Sequence, residues 1–231
     1  MVAPQVSILM VGVRFPCAAR KNIYMSRYRG SRNRLVKRLG SLPGYGQKFV
    51  QTIGPPKGAE LPKGAKKKQS PFTIRLKEKQ KIRYNYGLTE KKLLQYVKIA
   101  RKLKRSLAKI SAGETLLRLL EMRLDNIIFR LGFAPTLPAA RQLITHGHVF
   151  VNSKKKDIPS SQCKINDLIT LNKNKVFEGR AWKMSIQKHY RKSVPKFLLL
   201  TENFVGKVQK YPSRDEIGLN INELLVIEYY S

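Results

Sequence analysis

Between Leu120 and Gly132 the chain reads LEMRLDNIIFRLG, and Leu124, Ile127, Ile128 and Leu131 recur with the spacing of one helix face. Gly132 stands where a left-handed residue would end that helix. Arg123, Asn126 and Arg130 share a second face. On an isolated helix such an edge faces solvent, so its meaning depends on the rest of the chain. Upstream, Thr89 is a suitable N-cap, and Leu93, Val97, Ala100, Leu103, Leu107 and Ile110 trace another helical stripe. Lys91, Lys92, Lys98, Arg101, Lys102, Lys104, Arg105 and Lys109 cover the remainder of that helix. Downstream, PTLPAARQLITHG predicts a helix with Thr136 as N-cap and Pro138 in its first turn. Ala140, Leu143 and Ile144 face its core, leaving Arg141, Gln142 and Thr145 on a polar side. HVFVN alternates like a strand, Asn152-Ser153-Lys154 turns, and KINDLITL (164–171) reads as a further strand. VFEGRAW, KFLLL and LLVIEYY are also strand-like, punctuated by Pro195 and Pro212.

The predicted fold is therefore α+β: a basic helical N-terminal domain, then a small module of two helices and an antiparallel sheet. The expected divisions are 1–24, an extension; 25–114, the basic helical domain; 115–185, the module; and 186–231, a segment completing the body. Within the second division, 25–42 is only weakly amphipathic, and GPPKGAELPKGAKKKQSP (54–71) is a loop that cannot bury a core. Gly58 to Lys66 lacks the spacing and the Gly-Lys-Ser/Thr of a nucleotide-binding loop.

Charge changes the picture. The 231 residues hold 47 Lys and Arg against 14 Asp and Glu, a formal net charge of +33. Residues 25–110 alone carry 25 basic and 3 acidic groups, a net of +22. With 42% hydrophobic residues this is a folding chain and not a basic tail. A compact body so charged repels itself unless a polyanion neutralises it, which makes nucleic acid the first partner class and a membrane surface the second. The basic helix after Thr89 also suits calmodulin or a membrane surface, but basic blocks continue on both sides of it. No apolar run reaches the roughly 18 residues of a spanning helix. Cys17 and Cys163 make neither a CxxC zinc site nor a disulfide framework, and no metal or other cofactor is expected. In 1–24 the positive charges follow the apolar run Val6–Val13, unlike a secretory signal. The lack of acidic residues leaves a transit peptide open, although Ser7 is the only serine or threonine there, and a second Met at 25 opens MSRYRG.

Lys and Arg supply affinity and position on phosphate, while aromatic and amide groups read bases or shape. Tyr28, Tyr84, Tyr86, Asn126, Gln142 and Asn152 lie among the charges as such companions. Arg123, Arg130 and Arg141, held on a helix pair, would each offer a fork of donors to phosphate, which suits folded RNA. His146 and His148 flank Gly147 at the helix-to-strand turn, either beside a phosphate or as capping and packing residues. Lys154 to Lys156 either clamp phosphate or are simply solvated.

LLRLLEMRLDNIIFRLGFAPTLPAARQLITHGHVFVN, followed by DIPSSQCKINDLITL, closely resembles the small RNA-binding module named after the fourth small-subunit ribosomal protein. That module also occurs in pseudouridine synthases, tyrosyl-tRNA synthetases and RNA quality-control factors. The flanks MSRYRGSRNRLVKRLGSLPG, IRLKEKQKIRYNYGLTEKKLLQYVKIA and INELLVIEYYS resemble the ribosomal protein family itself. MSRYRG, YGLTE and LLEMRLDN are most similar to its plastid (chloroplast) members, a bacterial cytoplasmic source being the fallback.

The resemblance implies a structural constituent of the small subunit that binds the five-prime domain of small-subunit rRNA and nucleates assembly. It also implies a place where mRNA enters the subunit, contact with the fifth small-subunit protein, and a part in translational accuracy. No membrane contact or homo-oligomer is implied. The rRNA-binding residues it implies are Arg123, Asn126, Arg130, Thr136, Arg141, Gln142, His146, His148 and Asn152 in the module. Arg27, Arg29, Arg32, Arg34 and Arg38 would serve the N-terminal contact. Asp125 is read as orienting a neighbouring arginine or capping backbone, and not as catalytic. The zinc-binding cysteine cluster of some bacterial members is missing, and 1–24 falls outside the resemblance. An RNA-modifying enzyme is disfavoured, because too little chain follows the module for a catalytic domain. A free quality-control factor remains the alternative.

Overall fold

Hydroxyl and amide caps start most of the helices in the computed structural model, which describes residues 28, 30–45, 70–106, 110–172, 194–201 and 205–231. The segment 1–24, Arg27, Arg29, most of the 54–71 loop, and VFEGRAW with Trp182 lie outside the described residues. The helices are α1 (Arg32–Leu39), α2 (Pro71–Asn85), α3 (Glu90–Ser106), α4 (Ala112–Glu121), α5 (Leu124–Arg130), α6 (Leu137–Thr145) and α7 (Glu223–Tyr229). Ser70, Ser111, Thr136 and Asn222 each accept a first-turn backbone N–H of α2, α4, α6 and α7. The Thr89 hydroxyl accepts from Lys92 N–H at 3.4 Å, close to its expected capping role.

Five strands form one antiparallel sheet in the order β2-β1-β3-β5-β4: β1 Val149–Val151, β2 Lys154–Lys155, β3 Leu168–Leu171, β4 Leu198–Thr201 and β5 Val205–Val208. The β1–β2 turn places Asn152 and Ser153 at φ 51° and 65°, the two positive angles of a type I′ hairpin. The Asn152 amide fixes that turn from outside, donating to Asp167 and accepting from Leu168 N–H, both at 2.9 Å. The α+β expectation holds.

Two hydrophobic cores result. The first gathers Leu35, Val36 and Leu39 of α1, Ile82, the α3 stripe Leu93–Val97–Ala100, Leu116, Leu117 and Leu120 of α4, and Ile217, Leu219, Ile221 and Val226 from the far end of the chain. The second joins Leu124, Ile127, Ile128 and Leu131 of α5 to Ala140, Leu143 and Ile144 of α6 and to the inward sheet positions Val149, Val151, Ile169, Leu171 and Val208. So the core changes over after α4, near 121–122.

Two expectations change. The helix expected to run on to Gly132 is broken at Met122–Arg123, where Arg123 has extended backbone (φ −72°, ψ 141°). Gly132 does take the left-handed conformation, at φ 78°. LLVIEYY is not a strand but α7, capped by Asn222, with Arg101 donating to the Ile227 carbonyl at 2.8 Å. A contiguous apolar run has no periodicity with which to separate the two. Helix α2 carries no clean amphipathic stripe: Phe72 and Ile74 are exposed while its buried face includes Lys79 and Asn85.

Gly44 lies against the end of α2: its N–H donates to the Asn85 side chain at 2.9 Å, and a Cβ there would run into the Asn85 carbonyl oxygen. Gly44→Ala should destabilise the protein by about 3 kcal/mol, read as a lower urea midpoint at unchanged m-value. In the second core, burial pushes the Cys163 thiol up to about 12, so its thiolate is scarce at pH 8. Native protein should leave the Cys163 peptide unalkylated by iodoacetamide at that pH, and urea-unfolded protein should not, as mass spectrometry would show.

Candidate nucleic-acid interface

The break between α4 and α5 brings two carboxylates, Glu121 and Asp125, into the junction between the cores, and both are fully buried. A bare carboxylate there would be prohibitively costly, so donors must surround it. Asp125 accepts a two-pronged pair from Arg123, at 3.0 and 2.7 Å, and a third bond from Arg141 Nε at 2.8 Å. Glu121 accepts from Arg130 at 2.9 and 3.1 Å, from the Asn126 amide and from the Tyr86 hydroxyl. Burial and the Glu121 charge hold the Tyr86 hydroxyl well above the usual phenol range, so it remains a donor. Burial lowers the proton affinity of Arg123 and Arg130, but the facing carboxylates outweigh it and both stay charged.

These bonds cross between the bodies. Arg123 also donates to Tyr96 of α3 at 2.8 Å. Arg141, on α6, reaches the carbonyl oxygens of Tyr86 and Gly87 at the α2–α3 turn. The loop before β3 closes the other side: Leu124 and Asp125 N–H donate to the Ser161 and Pro159 carbonyls, and Cys163 N–H to Met122.

The arginine–asparagine–arginine edge therefore faces inward. Arg123 is 4% exposed and Asn126 2%, and Arg130 has its guanidinium on Glu121. The structure places these expected RNA-facing residues against Glu121 and Asp125, whose carboxylates need those donors. Arg141 is half-buried in the same network, and the Thr136 hydroxyl caps α6 at 3.3 Å. The reading of Asp125 as an orienting group fits this geometry, since it holds Arg123 and Arg141 at once. What escaped the sequence reading is Glu121. Two acids four residues apart in the most apolar stretch of a very basic chain were the available signal.

The other expected residues lie outside. Arg34, Arg38, Gln142, His146 and Asn152 are exposed, and Arg32 and His148 partly so. His146 and His148 stack at 6.1 Å between ring centroids, across the Gly147 turn. Arg27 and Arg29 lie outside the described residues. Exposed Lys91, Lys92, Lys98, Lys102, Lys104 and Arg105 on α3 and Lys154–Lys156 on the hairpin extend the positive surface.

Comparison with known proteins matches both bodies. The family described as "Ribosomal protein S4/S9 N-terminal domain" covers residues 27–121, and the "S4 domain" covers 122–169, so they meet at the break between α4 and α5. Small ribosomal subunit protein uS4c of Chaetosphaeridium globosum is 49% identical over 209 residues, 90% of this chain and 98% of that protein. The protein of that name from Prototheca wickerhamii is 50% identical over 212 residues, 90% of this chain and 99% of the relative. The one from Equisetum variegatum is 48% identical over 211 residues, with the same two shares.

If the buried network ties the bodies together, Asp125→Asn should cost about 3–5 kcal/mol in urea unfolding, leaving two guanidiniums without their counter-charge. Arg38→Ala, on the exposed face of α1, should stay within about 0.5 kcal/mol. Equal stability of both variants would remove the network from that role.

Proposed function

The chain belongs to the uS4 family of small-subunit ribosomal proteins, and on that premise we propose how it works in the ribosome. It is a structural constituent of the small subunit that binds rRNA in a plastid ribosome, and it belongs to a family of structural proteins, not of enzymes. In the finer reading, it binds the five-prime domain of small-subunit rRNA directly and nucleates subunit assembly. It lies beside the fifth small-subunit protein where mRNA enters, and contributes there to accuracy.

One observation supports this reading above the others: the buried network sets two basic bodies at a single mutual orientation. Folded RNA presents phosphates at fixed positions, so a rigid two-body surface discriminates by shape where a flexible basic chain does not. In this reading the contacts come from the outer groups, Arg32, Arg34, Arg38, Gln142, His146, His148 and Asn152, with Arg27 and Arg29. Arg123, Asn126, Arg130, Thr136 and Arg141 act from behind, by holding the surface in shape.

The test is binding of the full chain to a five-prime-domain rRNA fragment against excess tRNA over a salt series. Neutralising on the order of 10 phosphates gives a log–log slope of roughly −7 to −9. Combined Lys98→Gln, Lys102→Gln and Arg105→Gln should flatten that slope by roughly 2 to 3 if α3 follows the backbone. Equal competition by tRNA would overturn the rRNA-specific reading.

A further inference from the structure

A cleft of about 370 Å³ opens where α1, the end of α2 and α6 meet, beside the buried network. That is at the small end of the range for ligand pockets, about 300–1,000 Å³. Its wall is aromatic. The rings of Tyr28 and Tyr84 meet edge to face at 5.6 Å, and Tyr28 keeps 42% of its surface exposed. Guanidiniums cover the neighbouring faces: Arg83 lies 5.3 Å from the Tyr84 ring centre, and Arg32 5.5 Å from that of Tyr45.

No acidic residue is among the described residues lining this cleft. Arg83 is close to one carboxylate, but its Nε is 3.8 Å from Glu90, and this buried nitrogen has no hydrogen-bond partner among the described residues. On the opposite wall Gln142 is exposed, and its side-chain amide has no partner among the described residues. Arg141, fully engaged with Asp125, Tyr86 and Gly87, forms part of the lining and does not enter the space. A second hollow of about 170 Å³ continues past Gly87 and Leu88 to Lys92, in the first turn of α3.

We propose that this cleft takes one unpaired nucleotide of the RNA, with its base stacked on the exposed Tyr28 ring beside Tyr84 and its phosphate on the Arg32–Arg83 side. The aromatic faces suit a base of any identity. The Gln142 amide, donor and acceptor together, meets the base edge. The strand leaves over the Gly87 hollow towards Lys92. The inference rests on the rRNA-binding reading and adds to it a point at which the protein grips an unpaired residue instead of a helix.

The experiment is ultraviolet cross-linking of the full chain bound to the five-prime-domain rRNA fragment, with peptides mapped by mass spectrometry and affinities measured in parallel. The expected result is a cross-link from an unpaired nucleotide to the peptide holding Tyr28 or Tyr84. Tyr28→Leu should abolish the Tyr28 cross-link and weaken binding about tenfold, while Tyr28→Phe, which keeps the ring, should rescue it. Gln142→Ala, at an exposed helical position, should weaken binding less and without loss of fold. Leu and Phe variants of equal affinity, or cross-links confined to other surfaces, would overturn the nucleotide site while leaving rRNA binding intact. Failure of the unaltered protein to prefer rRNA over tRNA would instead sink the reading on which the site rests.

Discussion

Two carboxylates sealed between two hydrophobic cores set the terms for the rest of this molecule. Glu121 and Asp125 have no exposed surface, so each must be saturated by donors from within the protein. The donors come from both sides of the junction: Tyr86 from the end of α2, and Arg123, Asn126, Arg130 and Arg141 from the module, with Tyr96 of α3 accepting from Arg123. A buried ion pair contributes less to stability than its Coulomb energy suggests, but breaking one is expensive. That asymmetry is what a fixed angle between two bodies requires. A sliding or rotated arrangement would strand a charge, whereas purely apolar faces could repack at lower cost.

The path of the chain reinforces the same junction. After the module, β4 and β5 extend its sheet, and then α7 crosses back to pack on α2 and α4. Arg101 of α3 holds the carbonyl end of α7, and Glu90 accepts from both Lys79 and Tyr230. Burial pushes the Glu90 carboxyl up, but the bonds from Lys79 and Tyr230 prevail and hold it below the ordinary carboxylate range. The sign follows: this anion stabilises the fold above its unfolded pKa and loses that contribution as pH falls through its lowered folded value. The first body is thus closed by the last residues of the chain, so the module is held at both ends.

Much of this was legible in the sequence, and the misreadings share one cause. The stripes Leu93–Val97–Ala100 and Leu124–Ile127–Ile128–Leu131 are buried as their spacing demanded, and Thr136 and Gly132 mark the helix ends they were expected to mark. Periodicity reports which face is apolar, but not what covers the polar face. Arg123, Asn126 and Arg130 lie on a face that would be solvated in an isolated helix, and here Glu121, from the adjoining helix, covers Asn126 and Arg130. The break at Met122–Arg123 that makes this possible depends on the loop carrying Pro159 and Ser161, more than thirty residues away. No local pattern encodes that contact. The same limit applies to LLVIEYY, whose helical state is settled by packing on α2.

The placement of several acids also bears on how a chain of +33 can bury cations at all. Among the described residues, four carboxylates are spent on buried or half-buried partners: Glu78 on Lys81, Glu90 on Lys79, Glu121 on Arg130, and Asp125 on Arg123 and Arg141. The cations that must be buried or semi-buried are neutralised where the dielectric is low and the interaction is strong. The remainder are left on α1, the outer face of α3 and the hairpin, where water and salt screen their mutual repulsion. Internal pairing thus separates two populations of arginine and lysine, one holding the shape and one on the outer surface. Because Glu90, Glu121 and Asp125 are used inside, they do not offset the outer positive charge, and the rigidity that they provide keeps that charge in one pattern.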